Sequence, residues 1–213
     1  MEWSMGAEFL SGAWTTLWIS AVAIAGGIPL GLGLALLRIS RIPVAAQLVA
    51  VYVSLLRASP IVTLVLFLFV VLPSLGIQVD REFAAIFSLM LNTAAFNAEI
   101  WRSVYAAFPA EQIEAARAAG MTRLKYFRRI MLPQLWYSAL PSLINEITIL
   151  IKASPAIAVI GIVDLTRVSA RIASSTYQPL PPLIVAGVIY MIGIYGLLRM
   201  QRAMEDRADR FAS

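Results

Sequence analysis

A helix that crosses a bilayer needs about 20 predominantly apolar residues, and this sequence offers five such runs, at residues 14–37, 51–72, 83–105, 135–153 and 183–200. In hydrocarbon every backbone N–H and C=O must find its partner inside the protein, so runs of this kind become helices packed in a bundle. The fold class expected is all-α: a polytopic membrane protein with about five transmembrane helices. No internal repeat, low-complexity stretch or long linker divides the chain, so residues 1–213 read as a single transmembrane domain. The second run contains Arg57 and Pro60. Its purely apolar part after Pro60 would rise only about 18 Å, so the span must include residues before the proline and leaves Arg57 near one interface.

The charge fits the same picture. Only 14% of residues are charged, against about 25% in a soluble domain, and the mean hydropathy is +0.81. The net charge of +5 comes from basic residues between apolar runs, which is the signature of cytoplasmic loops and not of a nucleic-acid surface. With no cysteine and no histidine, disulfides, thiol chemistry and the commonest soft metal ligands are excluded. Glu2 and Glu8 precede the first run, where a secretory signal would be basic, so a retained membrane helix is expected there.

Orientation follows from lysine and arginine. With the amino terminus outside, the inner side receives Arg38, Arg41, Arg102, Arg117, Arg123, Lys125, Arg128, Arg129, Arg199, Arg202, Arg207 and Arg210. The outer side receives Arg81, Arg167 and Arg171, and Arg57 and Lys152 fall within apolar segments. An odd number of spans then leaves the carboxyl terminus in the cytoplasm. Gly27, Gly31 and Ala35, at four-residue spacing, form a stripe of small side chains on the first helix, expected to let another helix approach closely, inside the bundle in preference to a dimer seam.

Between the third and fourth spans lies "PAEQIEAARAAGMTRLKYFRRIMLPQ", within a loop at about 106–133. Its first part reads as a short helix: Pro109 at the start, Glu111 and Glu114 near the positive end, and a stop at Gly120. Glu114 and Arg117 are spaced to pair on its exposed side, and four alanines give it little bulk. A second, basic helix is expected after Thr122, with Leu124, Phe127 and Met131 on one face and Pro133 ending it before the fourth span.

These residues resemble the cytoplasmic signature loop of ABC importer permeases, in which Glu-Ala-Ala is followed after three residues by Gly and later by a hydrophobic-x-Leu-Pro ending. Here they are Glu114, Ala115, Ala116, Gly120, Ile130, Leu132 and Pro133. The resemblance extends to the polar amino acid uptake branch through "RASP" at 57–60, "NTAAFNAEIWRSV" from Asn92 and "LPQLWYSALPSLINEITILIKASP" from Leu132. Departures occur at Glu111, Ala119, Ala58, Ser59 and Ala153 to Pro155. The resemblance implies a transmembrane permease subunit for a polar amino acid or derivative in the bacterial inner membrane. It also implies that Glu114, Ala115, Ala116, Arg117 and Gly120 form a coupling helix docked on a separate ATPase. The implied partners are a second permease chain, identical or paralogous, two ATPase subunits, an extracytoplasmic solute-binding protein and membrane lipid. Alternatives are another small solute, such as methionine or an organic anion, or a secondary transporter driven by an ion gradient.

Ionisable groups within a span are costly and therefore functional candidates. Asn145, Thr148 and Lys152 form one polar stripe of the fourth helix, and Ser142 and Glu146 another. For an amino acid cargo, Glu146 suits the ammonium and Asn145 or Thr148 a hydrogen bond. The competing reading is that Glu146 and Lys152 neutralise structural partners such as Arg57. Glu99 and Arg102, near the inner end of the third helix, read as a structural pair or gate support. No Gly-rich Lys loop is present to cradle ATP, so the chain itself carries no cofactor and ATP is expected on the partner ATPase. No catalytic constellation is evident, so this chain is not expected to be an enzyme. A reporter fused after Ser213 is expected to read as cytoplasmic; a periplasmic reading would overturn the topology.

Overall fold

The computed structural model describes residues 2–40 and 42–212; Met1, Arg41 and Ser213, and the side chains of residues 2–4 and 207–212, Glu2, Arg207 and Arg210 among them, lie outside the described residues. Among the described residues all regular structure is helical. Four stretches are long and apolar enough to cross a membrane: Met5–Ile39, Arg81–Ala106, Arg123–Ile160 and Leu180–Asp206. They correspond to α1 (Glu2–Ile39), α4 (Arg81–Ala106), α7 (Leu132–Ala153) with its flanking turns, and α9 (Leu180–Ala212).

The expected second span is not one helix. It is a broken pair, α2 (Pro43–Ala58) and α3 (Ile61–Ser74), bent by 111°. Pro60 has no N–H to continue the α2 ladder, and it pushes the residue before it out of the helical region. Ser59 accordingly sits at φ −86°, ψ 133°, and its hydroxyl turns back to donate to the Leu55 carbonyl at 2.8 Å. Arg57 is therefore at a mid-span break and not at an interface.

That the pair makes one crossing follows from the packing of α1 on α4. Gly26 and Gly27 lie against Met90 and Thr93, and Gly31 against Ala94, Asn97 and Ala98. Contacts on both helices advance together, so α1 and α4 run in the same direction and the chain between them must return once. The stripe of Gly27, Gly31 and Ala35 thus packs inside the bundle. On the far side of α4, Val49 and Val53 of α2 cover Ala95 and Ala98, and the Tyr52 hydroxyl donates to the Leu91 carbonyl at 2.8 Å. Val65 of α3 joins Ile19, Ala84, Ala85, Leu89 and Ile157 in the core at the other end.

The expected separate basic helix ending at Pro133 is also corrected. After α6 (Arg123–Tyr126) the chain continues through a π-helical stretch, Phe127–Met131, into α7 without a stop. Pro133 cannot donate to the carbonyl four residues back and its ring would clash there. The wider π turn just before it absorbs the missing bond, so the proline lies in the first turn of α7 and joins the two segments. Leu124 points away, while Met131 is buried with Tyr126 and Leu135.

One helix was not anticipated. A 3₁₀ turn, Ser154–Ile160, ends at Gly161 with φ +95°, and α8 (Leu165–Thr176) follows. Asp164 caps it, accepting from the backbone N–H of Arg167 at 2.9 Å. Leu165, Val168 and Ile172 recur on one face and pack on Phe9 of α1 and Ala186 of α9.

A Cβ at Gly31 would stand 2.6 Å from the Asn97 Cβ and 2.8 Å from the Ala94 carbonyl, whereas at Gly33 nothing lies within 4 Å. Gly31→Leu should lower the melting temperature in detergent, at a cost of about 1–3 kcal/mol or more for overpacking, while Gly33→Leu leaves it nearly unchanged. Equal melting of the two variants would contradict this seam.

Candidate functional site

The break between α2 and α3 is the one place in a described span where backbone leaves the helix. The end of α2 and the start of α3 each leave carbonyl or amide groups without a helical partner. Inside a bilayer such groups are tolerated only where protein or a water-filled cavity meets them. Arg57 sits in the last turn of α2, where the negative end of the helix dipole favours a cation, and its guanidinium lies 5.3 Å from the centroid of the Phe96 ring on α4.

Phe96 is about 15 Å from the end of α4 and Glu146 about 21 Å from the start of α7, at 1.5 Å per residue, so both lie in the middle of the membrane. Arg57 is in electrostatic reach of Glu146. Glu146 is only 4% exposed, and its Oε1 is buried without a hydrogen-bond partner. A carboxylate inside the spans with an unfilled acceptor, together with a guanidinium at a helix break, offers the two charges that a group carrying a positive and a negative end would need.

The other expected pathway residues divide. Thr148 is buried, and its hydroxyl donates to the Ile144 carbonyl at 3.0 Å. Asn145 and Lys152 are exposed together with Ser142 and Ile149. The single stripe of Asn145, Thr148 and Lys152 is therefore split: at about 100° per residue Thr148 lies some 60° round the helix from Asn145, but Lys152 only some 20°. The open polar edge is Ser142, Asn145 and Lys152, with Glu146 just inside it.

Towards the basic end, Glu99 does more than pair locally. Its Oε1 accepts from Arg102 Nη2 at 2.5 Å and its Oε2 from Arg38 Nη1 at 2.6 Å, so one carboxylate ties the end of α1 to α4. Sequence reasoning found Glu99 and Arg102 but missed Arg38, sixty-one residues away. It also passed over Thr93 and Asn97, whose Oγ1 and Oδ1 are buried without partners on the α1–α4 seam. Their signal was legible: Asn92, Thr93 and Asn97 crowd a short stretch of an otherwise apolar span.

The connecting helix α5 (Ala110–Ala118) begins after Pro109, which stands at its N-cap. Gly120 adopts φ +68°, and the N–H groups of Gly120 and Met121 donate to the carbonyls of Arg117 at 2.9 Å and Ala116 at 3.0 Å. This pair of hydrogen bonds closes the helix and requires a left-handed residue. Ala116 is buried against Tyr126, Met131 and Leu135. Glu114, Ala115, Arg117, Ala118 and Ala119 are exposed, and Glu114 and Arg117 do not pair. A low-bulk, largely solvent-facing helix, anchored by Ala116 and Ile113 and by a 2.9 Å hydrogen bond from Gln134 Nε2 to Gln112 Oε1, is thus held beyond the end of the bundle.

The family of binding-protein-dependent transport system inner membrane components matches residues 27–210. The chain belongs to this family. It is 35% identical to the arginine transport system permease protein ArtQ of Bacillus subtilis (strain 168), covering 93% of this chain and 91% of that one. To the octopine transport system permease protein OccM of Rhizobium radiobacter it is 32% identical, covering 95% and 86%. The crystal structure of an amino acid ABC transporter with histidines superposes with a TM-score of 0.89 at 31% identity, over 95% of this chain and 94% of that one. The permease is thus a multi-pass membrane protein with the all-α fold expected.

Because Glu99 bridges two arginines, Glu99→Gln should lower the melting temperature in detergent more than Arg102→Gln, which leaves the Arg38 tie in place. The reverse order would show that the α1–α4 tie contributes less than the local pair.

Proposed function

We propose that this permease forms the translocation pathway of an importer for a polar amino acid or amino-acid derivative, with the substrate held at the break between α2 and α3. The observation that carries this reading is the buried Glu146, its Oε1 without a partner, on the span beside the break at which Arg57 lies over Phe96. An amino acid presents an ammonium and a carboxylate, and these two side chains offer the complementary charges. The names of the relatives, arginine and octopine systems, support the substrate class. Asn145, on the open edge of α7, supplies a hydrogen bond, and Lys152 lies two turns further along the same edge. Thr148, engaged with its own backbone, contributes to packing only.

The permease works as a pair with a second chain, identical or paralogous, because the polar edge of α7 is open in the single chain. The amino terminus lies outside and the carboxyl terminus in the cytoplasm, which puts α5 on the cytoplasmic side. There its alanine-rich face docks on an ATPase, two of which serve the pair, and ATP is bound and hydrolysed in those subunits. A solute-binding protein delivers substrate at the opposite face. ATP-driven movement of α5 passes through Ala116 to Tyr126 and Met131, and so to the base of the α7 span, which carries Glu146.

Two experiments test the two halves of this reading. Glu146→Gln should reduce uptake of a cationic substrate about tenfold, in line with loss of one charge-assisted contact, without changing recovery of the assembled complex. Unchanged uptake would remove Glu146 from the pathway. Gly120→Leu should lose ATP-driven uptake and copurification with the ATPase, because a branched side chain resists φ +68° and crowds the docking face. Gly120→Asn, whose side chain tolerates that conformation, should keep the loop folded. Normal coupling in Gly120→Leu would count against α5 as the docking helix.

A further inference from the structure

A groove of about 930 Å³ opens at the basic end of the bundle, between the last turns of α1, the end of α4 and the π-helical entry to α7. Its walls are aliphatic and aromatic, with Leu32 and Leu36 from α1, Trp101 and Tyr105 from α4, and Phe127 and Trp136 opposite. Leu36 is 58% exposed and Trp136 48%. These residues lie on helices of membrane-spanning length, so the groove faces the hydrocarbon near one interface, where tryptophan and tyrosine concentrate.

Two features of the groove call for a ligand with polar ends. Trp101 packs beside Trp136 with ring centroids 5.6 Å apart, and its indole N–H is buried without an acceptor. Arg123 lines the mouth. It is followed by Lys125, Arg128 and Arg129, all exposed and none in an ion pair, and the segment from Gly120 to Asn145 contains no acidic residue. An apolar trough with an orphan donor in its wall and an unpaired arginine at its mouth, at the start of a basic segment, is complementary to an acyl chain joined through an ester to a phosphate.

We propose that this groove binds an anionic glycerophospholipid of the surrounding leaflet. An acyl chain lies between Leu36 and Trp136, an ester carbonyl is the acceptor for Trp101, and the phosphate meets Arg123. Anionic leaflets attract clustered basic residues next to spanning helices. Phe127, which lines the groove, also packs in the cluster that holds Ala116 of α5. The lipid therefore sets the position of the π turn on which α5 rests, and its loss loosens α5.

The test uses the full chain with Trp3, Trp14 and Trp18 replaced by Phe, so that Trp101 and Trp136 alone report. In phosphatidylcholine nanodiscs, a low fraction of phosphatidylglycerol brominated on its acyl chains should quench this fluorescence more effectively, by roughly fivefold in apparent affinity, than brominated phosphatidylcholine. Arg123→Gln should abolish most of the difference, and Leu32→Phe with Leu36→Phe should reduce quenching by both lipids. Leu183→Phe, on the exposed face of α9, should change neither. Equal quenching by the two lipids, or a preference that survives Arg123→Gln, would overturn the proposal. So would capture of a protein subunit, and not lipid, by a photo-crosslinker at Leu36.

Discussion

Gly27, Gly31 and Ala35 bring the backbone of α1 against α4, and the positions of the remaining elements depend on that contact. In a bilayer no hydrophobic force draws helices together, so close van der Waals approach through small residues has to do it. The seam runs from Gly26 beside Met90 to Gly31 beside Ala98, and the Arg38–Glu99–Arg102 cluster closes its basic end. Because α1 and α4 then run in the same direction, α2 and α3 must supply the return crossing, and α4 is left with a second face for them to cover.

The break at Pro60 sits within this frame. An unbroken α2–α3 helix would present only side chains to the middle of the membrane. Breaking it ends one helix and begins another at the depth of Phe96 and Glu146, which adds helix-terminal amides and carbonyls to the charges of Arg57 and Glu146. The unpartnered Glu146 oxygen costs stability in a dry environment. Such a group is retained where a binding role requires it, and the proposed substrate class is the one that would fill it. The π turn before Pro133 is the corresponding device at the membrane surface, since it links α5 to α7 through a continuous helix and gives movement at one a route to the other.

Much of the architecture was legible as pattern. The apolar runs gave the number of crossings, the small-residue stripe gave a close helix contact, and the alanine-rich segment ending at Gly120 gave α5. The prolines carry less information on their own. Pro133 was expected to stop a helix, yet a π turn accommodates it in the first turn of α7. Pro60 was placed inside a span, yet it divides that span by 111°. A proline specifies that the regular ladder is interrupted, but whether the chain widens, bends or ends there depends on what packs around it. α8 escaped notice because it is short and amphipathic, and its apolar face has meaning only once Phe9 and Ala186 are brought to it.

The sequence by itself determined that this is a helical membrane protein, where the charges lie between crossings, and that a short helix runs between Pro109 and Gly120. Those properties depend on local periodicity and on the transfer energy of single side chains, which are present in any stretch read alone. Only the tertiary structure decided that Arg38 shares Glu99 with Arg102, that Arg57 lies over Phe96, and that Thr148 and Lys152 part company on α7. Each of those depends on how two helices are rotated and offset against one another, and that is set by the packing of many side chains at once.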